Sequence, residues 1–91
     1  MLIDVTIPGL LADCTGGRRR FTLEADTLAG ALQRLIADYP LLRPHLYDEA
    51  MRTRKHVLIF FNDENVATIA DRNVPLHPGD RLQVLQAVSG G

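Results

Sequence analysis

The chain has 91 residues, a formal net charge of −1, and 46% hydrophobic against 23% charged residues, which is the composition of one ordinary globular domain. The weak net charge gives no general reason to bind nucleic acid or an anionic membrane, and the single cysteine, Cys14, excludes an internal disulfide and a multi-cysteine metal cage. Because the sequence shows no signal-peptide pattern and no apolar run of about 20 residues, we expect a cytoplasmic protein without a membrane segment.

The sequence begins with a hydrophobic alternation of period two. Ile3, Val5 and Ile7 share one face, as in a half-buried strand, and Pro8 stops the pattern. A glycine-containing loop follows, and a second alternation over residues 19–24 indicates an antiparallel partner strand. The two segments are therefore predicted to form a hairpin with a long loop.

A helix is predicted next. Asp26-Thr27 provide an N-cap, because a short oxygen-bearing side chain accepts a hydrogen bond from the unpaired amides of the first turn. Pro40 ends the helix, because the residue before a proline is driven out of helical geometry. The segment between them has one apolar stripe at helical spacing, made of Leu28, Ala31, Leu32, Leu35, Ile36 and Tyr39. The segment from 41 to 51 is irregular and compatible with a short helical turn.

The second half of the chain consists of predicted strands joined by turns. Residues 55–62 form the most β-prone run and have apolar residues on both faces, which is typical of a central strand. A turn at residues 62–65 precedes a short edge strand over residues 66–69. The tight turn at residues 77–80 starts a last strand over residues 81–88.

The element order is therefore β-β-α-β-(β)-β, which predicts the α+β class. A single amphipathic helix covers one face of one sheet, so we expect a mixed sheet of about five strands with one main helix packed on one face. The β-grasp, or ubiquitin-like, arrangement fits this order, with the first and last strands side by side in the middle of the sheet. Residues 1–88 are predicted to form the domain, and residues 89–91 a flexible Gly-Gly tail.

The candidate reactive group is at the end of the sequence, in Val88-Ser89-Gly90-Gly91. Two successive glycines have no Cβ, so they can enter a narrow tunnel in a partner enzyme. The carboxylate of Gly91 becomes an electrophile only when activated, for instance as an acyl-adenylate; a sulfur donor then gives a thiocarboxylate and an amine gives an amide. The chain supplies no acid, base or metal for these steps. The alternative is an inert frayed end or a cloning remnant.

The segment from Leu76 to Gly91 resembles the C-terminal signature of the MoaD/ThiS family of ubiquitin-like sulfur carriers: a leucine, a Gly-Asp turn, a hydrophobic strand and a final Val-Ser-Gly-Gly. The similarity extends to four further segments, which are residues 3–8, Thr15-Gly16-Gly17, Asp26-Thr27-Leu28 and Phe60-Phe61-Asn62-Asp63-Glu64. Together these resemble most the branch that supplies sulfur for cysteine biosynthesis. Gln86-Ala87 stand where the molybdopterin branch commonly has two prolines.

The resemblance implies a carrier and not an enzyme. An E1-like adenylyltransferase/sulfurtransferase would use ATP to adenylate Gly91, and a sulfur donor would form the thiocarboxylate. A pyridoxal-phosphate-dependent cysteine synthase would then accept the sulfur on an activated serine. The carrier itself would bind no cofactor or metal and would be a monomer when free. The alternatives left open are a protein modifier conjugated through Gly91, a sulfur carrier for molybdopterin or thiamine synthesis, and an interaction module with an inert tail.

A docking surface is predicted on the side of the sheet that the helix does not cover. Because strand side chains alternate, Leu58, Phe60 and Leu85 are expected to point away from the helix and to form an apolar group. In the family, the position that matches Leu85 lies on the surface that meets the partner enzyme. The alternatives are that residues 41–51 cover this face, or that the two faces are exchanged.

Other polar residues are expected to carry no chemistry. Cys14 has no motif histidine nearby, and Asp63 and Glu64 are adjacent and not a facing carboxylate pair. Arg18-Arg19-Arg20 are interpreted as a charged strand end facing solvent, with binding of an acidic partner as the alternative. Three histidines lack the spacing of a metal site, namely His45, His56 and His77.

Overall fold

A five-stranded sheet and one long helix form the frame of the molecule in the computed structural model, which describes residues 1–86. The strands are β1 (Leu2–Thr6), β2 (Arg20–Glu24), β3 (Val57–Phe61), β4 (Glu64–Asn65) and β5 (Arg81–Gln86). The helices are α1 (Leu28–Asp38) and α2 (Arg43–Leu46), with 3₁₀ helices at Gly9–Thr15, Pro40–Leu42 and Val66–Thr68.

The sheet has the order β2-β1-β5-β3-β4. Strands β1 and β5 are parallel and adjacent, while β1–β2, β3–β5 and β3–β4 are antiparallel pairs. The prediction of a mixed sheet with the first and last strands side by side, the β-grasp arrangement, is therefore confirmed. The predicted domain boundary at residue 88, and the tail beyond it, lie outside the described residues.

Helix α1 begins and ends where its sequence predicts. The hydroxyl oxygen of Thr27 accepts a hydrogen bond from the amide of Gly30 at 3.0 Å, which satisfies one of the free amides of the first turn. The Tyr39 amide donates to the Leu35 carbonyl at 3.1 Å, and Pro40 follows. This helix has 11 residues and is the longest helix within residues 1–86. No helix in that part of the chain is long and apolar enough to cross a bilayer.

The core lies between α1 and the inner face of the sheet. The sheet contributes the alternate residues of β1, β2, β3 and β5, and the helix contributes one stripe. The fully buried side chains include Ile3, Val5, Leu23, Leu28, Leu35, Leu82 and Val84. Leu42 and Leu46, from the segment after α1, are fully buried in the same core. That segment therefore packs on the helix side, and the alternative that it covers the opposite face of the sheet is wrong.

The loop predicted between β1 and β2 contains a 3₁₀ helix, Gly9–Thr15, which the glycine-rich sequence did not indicate. Leu11 is buried in the core and draws the segment against the domain. The hydroxyl of Thr15 donates to the Ala12 carbonyl at 3.0 Å, which closes the helix. Gly16 and Gly17 then turn the chain with φ of +67° and +90°, a conformation that favours glycine.

The edge strand predicted over residues 66–69 is wrong in position. The edge strand β4 consists of Glu64–Asn65 only, and Val66–Thr68 form a 3₁₀ helix. The side-chain oxygen of Asn65 accepts a hydrogen bond from the Ala67 amide at 2.9 Å, so the backbone turns away from the ladder at this residue.

Candidate functional site

The face of the sheet opposite α1 carries the predicted docking residues. Leu58 of β3 and Leu85 of β5 are direct cross-strand partners and are 36% and 38% exposed. Phe60 is half-buried on the same face, where its partner is Gln83. The exposure agrees with the predicted orientation, and the docking role of these residues stays a prediction. We call Leu58, Phe60 and Leu85 the apolar trio.

The trio lies on a rigid support. Strand β5 pairs with β1 over residues 81–83 and with β3 over residues 82–86, so its first half is held on both sides and Leu85 is held by β3. Leu82 and Val84 are each 1% exposed and anchor β5 in the core. Leu85, which follows Val84 in the strand, points to the opposite face of the sheet. The apolar residues on the trio's side are therefore available for contact, and those on the other side hold the strand in place.

The predicted tail follows β5 in the sequence. The four residues Val88, Ser89, Gly90 and Gly91 lie outside the described part of the chain. Gly91 is five positions beyond Gln86, the last residue of β5. The described structure therefore defines the strand that leads toward the candidate reactive group.

The start of β5 is held by the turn that ends β3. The Arg81 amide donates to the side-chain oxygen of Asn62 at 3.1 Å, and the Asn62 amide donates to the Arg81 carbonyl at 2.9 Å. Asn62 has a φ of +56°, a conformation that asparagine tolerates better than most residues. Sequence reasoning placed Asn62 in a turn but did not identify it as a support of β5, since its partner is 19 residues away.

Two side chains within residues 1–86 have displaced pKa values, and both lie in the segment between α2 and β3. Burial raises the pKa of Tyr47 above its ordinary value, and the Arg72 cation opposes this shift. Hydrogen bonding by the Arg52 backbone amide lowers the pKa of Asp48, with a further contribution from the Ala50 amide. Neither group belongs to the apolar trio, so the candidate site contains no perturbed acid or base among the described residues.

The residues set aside in the sequence also have defined positions. Cys14 lies in the 3₁₀ helix after β1, partly buried against the core. Within residues 1–86, the histidine, cysteine, aspartate and glutamate side chains form no group of three that could hold a metal ion. The described part of the chain offers contact surfaces and hydrogen-bonded turns as its candidate functional features.

Comparison with known proteins gives concordant results. The family model described as the ThiS family matches residues 5–91. The sulfur carrier protein CysO of Mycobacterium tuberculosis is 32% identical over 93 residues, spanning 100% of both chains. The crystal structure of Mycobacterium tuberculosis CysO has a TM-score of 0.79 and 30% identity, covering 94% of this chain and 99% of that one. A chain in the crystal structure of the Amycolatopsis orientalis BexX/CysO complex has a TM-score of 0.80 and 25% identity, covering 98% and 99%.

Proposed function

The chain belongs to the ThiS family, and from this we propose that it is a sulfur carrier protein whose Gly91 carboxylate is converted to a thiocarboxylate. The observation that carries the proposal is the similarity over its whole length to a protein named as a sulfur carrier. The order of the sheet supports it, because the central strand β5 leads in sequence to Val88-Ser89-Gly90-Gly91.

The chemistry needs two transfers at Gly91, both catalysed by a partner. In the active site of an E1-like adenylyltransferase/sulfurtransferase, the Gly91 carboxylate attacks the α-phosphorus of ATP and pyrophosphate leaves. Sulfide from the sulfur source then attacks the carbonyl carbon of the acyl-adenylate as HS⁻, AMP leaves with the electron pair of the broken C–O bond, and loss of the remaining S–H proton gives the thiocarboxylate. One carboxylate oxygen is thereby replaced by sulfur. The carrier holds no cofactor of its own, because ATP is bound by the partner.

The acceptor that we favour is an activated serine in a pyridoxal-phosphate-dependent cysteine synthase. Support comes from the resemblance of Thr15-Gly16-Gly17 and Phe61-Asn62-Asp63-Glu64 to the branch that serves cysteine biosynthesis. The relatives named CysO are consistent with that branch. We expect the carrier to act in the cytoplasm, where ATP is available to the partner, and to be a monomer until it meets that partner.

The apolar trio gives the partner a place to dock. Its two leucines are exposed and lie opposite each other on neighbouring strands, so a partner would desolvate both at once. Leu85 is on the strand that leads to Gly91, so contact at the trio fixes the starting point of the tail relative to the partner's active site. This docking mode requires no rearrangement of the sheet.

The proposal is tested by intact-protein mass spectrometry. The full chain is incubated with ATP, the E1-like enzyme of the same genome and a sulfur source. A mass gain equal to the difference between sulfur and oxygen, dependent on ATP, is expected. A covalent adduct with another protein would favour the protein-modifier alternative, and an unchanged mass with active enzyme would contradict activation of Gly91. Purified cysteine, molybdopterin and thiamine synthases, tested one at a time, would then identify which acceptor removes the sulfur.

A further inference from the structure

The topology brings four strand ends to one edge of the sheet. Strands β1 and β5 are parallel, and β2 and β3 run antiparallel to them, so the ends of β1 and β5 meet the starts of β2 and β3. We call this the exit edge, because β5 ends here at Gln86. The chain reaches this edge at the strand ends and their flanking residues, which are 6–8, 18–20, 54–57 and 86. The charged residues within these ranges are all basic, namely Arg18, Arg19, Arg20, Arg54 and Lys55.

The opposite edge has the reverse charge. At this edge β1 and β5 start, β2 and β3 end, and β4 has its first residue. The acidic residues here are Glu24, Asp63, Glu64 and Asp80, and the cations are Arg81 and the N-terminal amine. These two cations are engaged, since Arg81 pairs with Asp63 at 2.7 Å and the N-terminal amine pairs with Glu24. A formal net charge of −1 therefore conceals a separation of charge along the strand direction.

The basic side chains of the exit edge are available for contact. Arg18, Arg19, Arg20 and Lys55 are exposed, and within residues 1–86 none of the four forms an ion pair. Arg54 differs, because it donates to the Pro44 carbonyl at 2.7 Å. Asp13 lies in the connection between β1 and β2 at this edge, and Asp48 and Glu49 lie in the segment before β3, where they line a pocket with Arg54. Asp48 pairs with Arg52 at 3.2 Å, so the positive charge of the edge is reduced but not cancelled. We call Arg18, Arg19, Arg20 and Lys55 the basic collar.

The collar is continuous with the apolar trio. Arg20 is the cross-strand partner of Thr6, Thr6 is the partner of Gln83, and Gln83 is the partner of Phe60. These four residues make one row across the open face of the sheet, with Arg20 at one end and Phe60 at the other. Neighbouring strands are about 4.8 Å apart, so Arg20 lies about 10 Å from β5 and within reach of the same partner surface.

The length of the tail brings the partner to this edge. Five residues from Gln86 to Gly91 span at most about 17 Å when fully extended. An enzyme that binds Gly91 in an enclosed active site must therefore bring the rim of that site close to the exit edge. Guanidinium groups bind carboxylates through two parallel hydrogen bonds, so arginines in this position suit an acidic rim.

We propose that the basic collar is an interaction surface for an acidic rim around the partner's tail-binding channel. This inference rests on the proposed function, because it takes Gly91 as the group that the partner binds. The acidic rim attracts the basic collar and repels the acidic edge at the other end of the strands. The carrier therefore approaches with the end of β5 directed toward the channel. A nucleic acid fits less well, because a long polyanion would also meet the acidic edge.

Single charge reversals test the collar. The collar variants are Arg18→Glu and Arg20→Glu. The matched control is Arg34→Glu on the exposed face of α1, which changes the formal charge of the chain by the same amount. The association rate with the E1-like enzyme is measured by stopped-flow fluorescence at ionic strengths from about 20 to 500 mM. We expect each collar variant to associate about three- to tenfold more slowly than the unaltered chain at low salt, with a flatter salt dependence and a similar dissociation rate. Circular dichroism and urea unfolding verify that each variant is folded.

The outcomes separate this inference from the proposed function. If the unaltered chain gains sulfur but the collar variants associate as fast as Arg34→Glu, the collar is overturned and the carrier function stands. If the collar variants associate slowly but no chain gains sulfur, the function fails and the interaction surface stands. Failure of the unaltered chain to bind the enzyme would overturn both. Saturable binding of inorganic pyrophosphate at the Arg18 and Arg20 amides, measured by NMR below millimolar concentration, would instead make the collar a site for small anions.

Discussion

Asn62 and Asp80 are joined side chain to side chain, with the Asn62 amide nitrogen 3.2 Å from a carboxylate oxygen of Asp80 across 18 positions of sequence. The other carboxylate oxygen of Asp80 accepts the His77 amide at 2.7 Å, and the turn is closed by the Asp80 amide, which donates to the His77 carbonyl. Gly79 has a φ of +89° in this turn. Two motifs of the family resemblance, the Asn-Asp-Glu turn and the Gly-Asp turn, thus meet in space and fix the start of β5.

Replacement of Asp80 by alanine is expected to lower the free energy of unfolding by about 1–3 kcal/mol. The change leaves the Asn62 side-chain amide without its acceptor in a partly buried position and also removes the acceptor of the exposed His77 backbone amide. Asp63→Ala is the control, because its side chain is 95% exposed and its ion pair with Arg81 is worth about 0–1 kcal/mol. Urea unfolding followed by circular dichroism gives both values. Equal losses in the two variants would contradict a supporting role for Asp80.

Leu85→Glu is expected to weaken binding of the E1-like enzyme at least tenfold, which is about 1.4 kcal/mol, while the urea midpoint changes little. The side chain is 38% exposed, so a carboxylate there stays hydrated in the free carrier and is desolvated only by the partner. Leu82→Glu is the control on the same strand. Leu82 is 1% exposed, so this variant is expected to unfold. An unfolded Leu85→Glu chain would show that Leu85 belongs to the core.

Deletion of Gly91 is expected to abolish the ATP-dependent mass gain and to leave the urea midpoint unchanged. The deletion shortens the tail by one residue, so the new terminal carboxylate of Gly90 would lie about 3.5 Å short of the reacting position. Arg34→Glu on the exposed face of α1 is the control, since it leaves the tail unchanged, and it is expected to be converted normally. Normal conversion of the shortened chain would show that the enzyme does not require the terminal carboxylate to be at position 91.

The stability of the protein is expected to fall at alkaline pH through Tyr47. Burial raises the pKa of its phenol in the folded state above the unfolded value near 10. The contribution to stability is therefore complete below about pH 10 and is lost as the pH rises through the folded pKa, because the unfolded state releases its proton first. Urea unfolding between about pH 8 and 11 should show a smaller decline in Tyr47→Phe than in the unaltered chain. A decline of the same size in both would contradict this assignment.

Much of the fold could be predicted because the determinants are local. Alternation in β1, β2 and β5 and the stripe of α1 follow from which residues are apolar, and the Thr27 cap follows from its side-chain oxygen. The 3₁₀ helix Gly9–Thr15 could not be predicted, since it depends on burial of Leu11 by residues distant in sequence. The two-residue strand β4 was missed although its determinant is local, because the Asn65 side-chain oxygen accepts a hydrogen bond from the Ala67 amide and this cap was not recognised in a β-prone segment.

The candidate site was predictable in its parts and not in their arrangement. Period two indicated that Leu58 and Leu85 share a face, but their direct opposition depends on the register of β3 and β5. The run Arg18-Arg19-Arg20 was visible as a charged strand end, but its position beside the end of β5 depends on the parallel pairing of β1 with β5. Register and strand order arise from the whole chain, so no single segment encodes them.

The parallel pairing of β1 with β5 has a consequence for synthesis. β1 is synthesised before its neighbour in the middle of the sheet, and the register of Asp4 with Arg81 separates the two by 77 residues of chain. In the nascent chain β1 therefore lacks this neighbour until β5, through Gln86, has also left the ribosome. A prematurely terminated product would lack the central strand and should be cleared by proteases, so that chains surviving in the cell are those translated through the last strand.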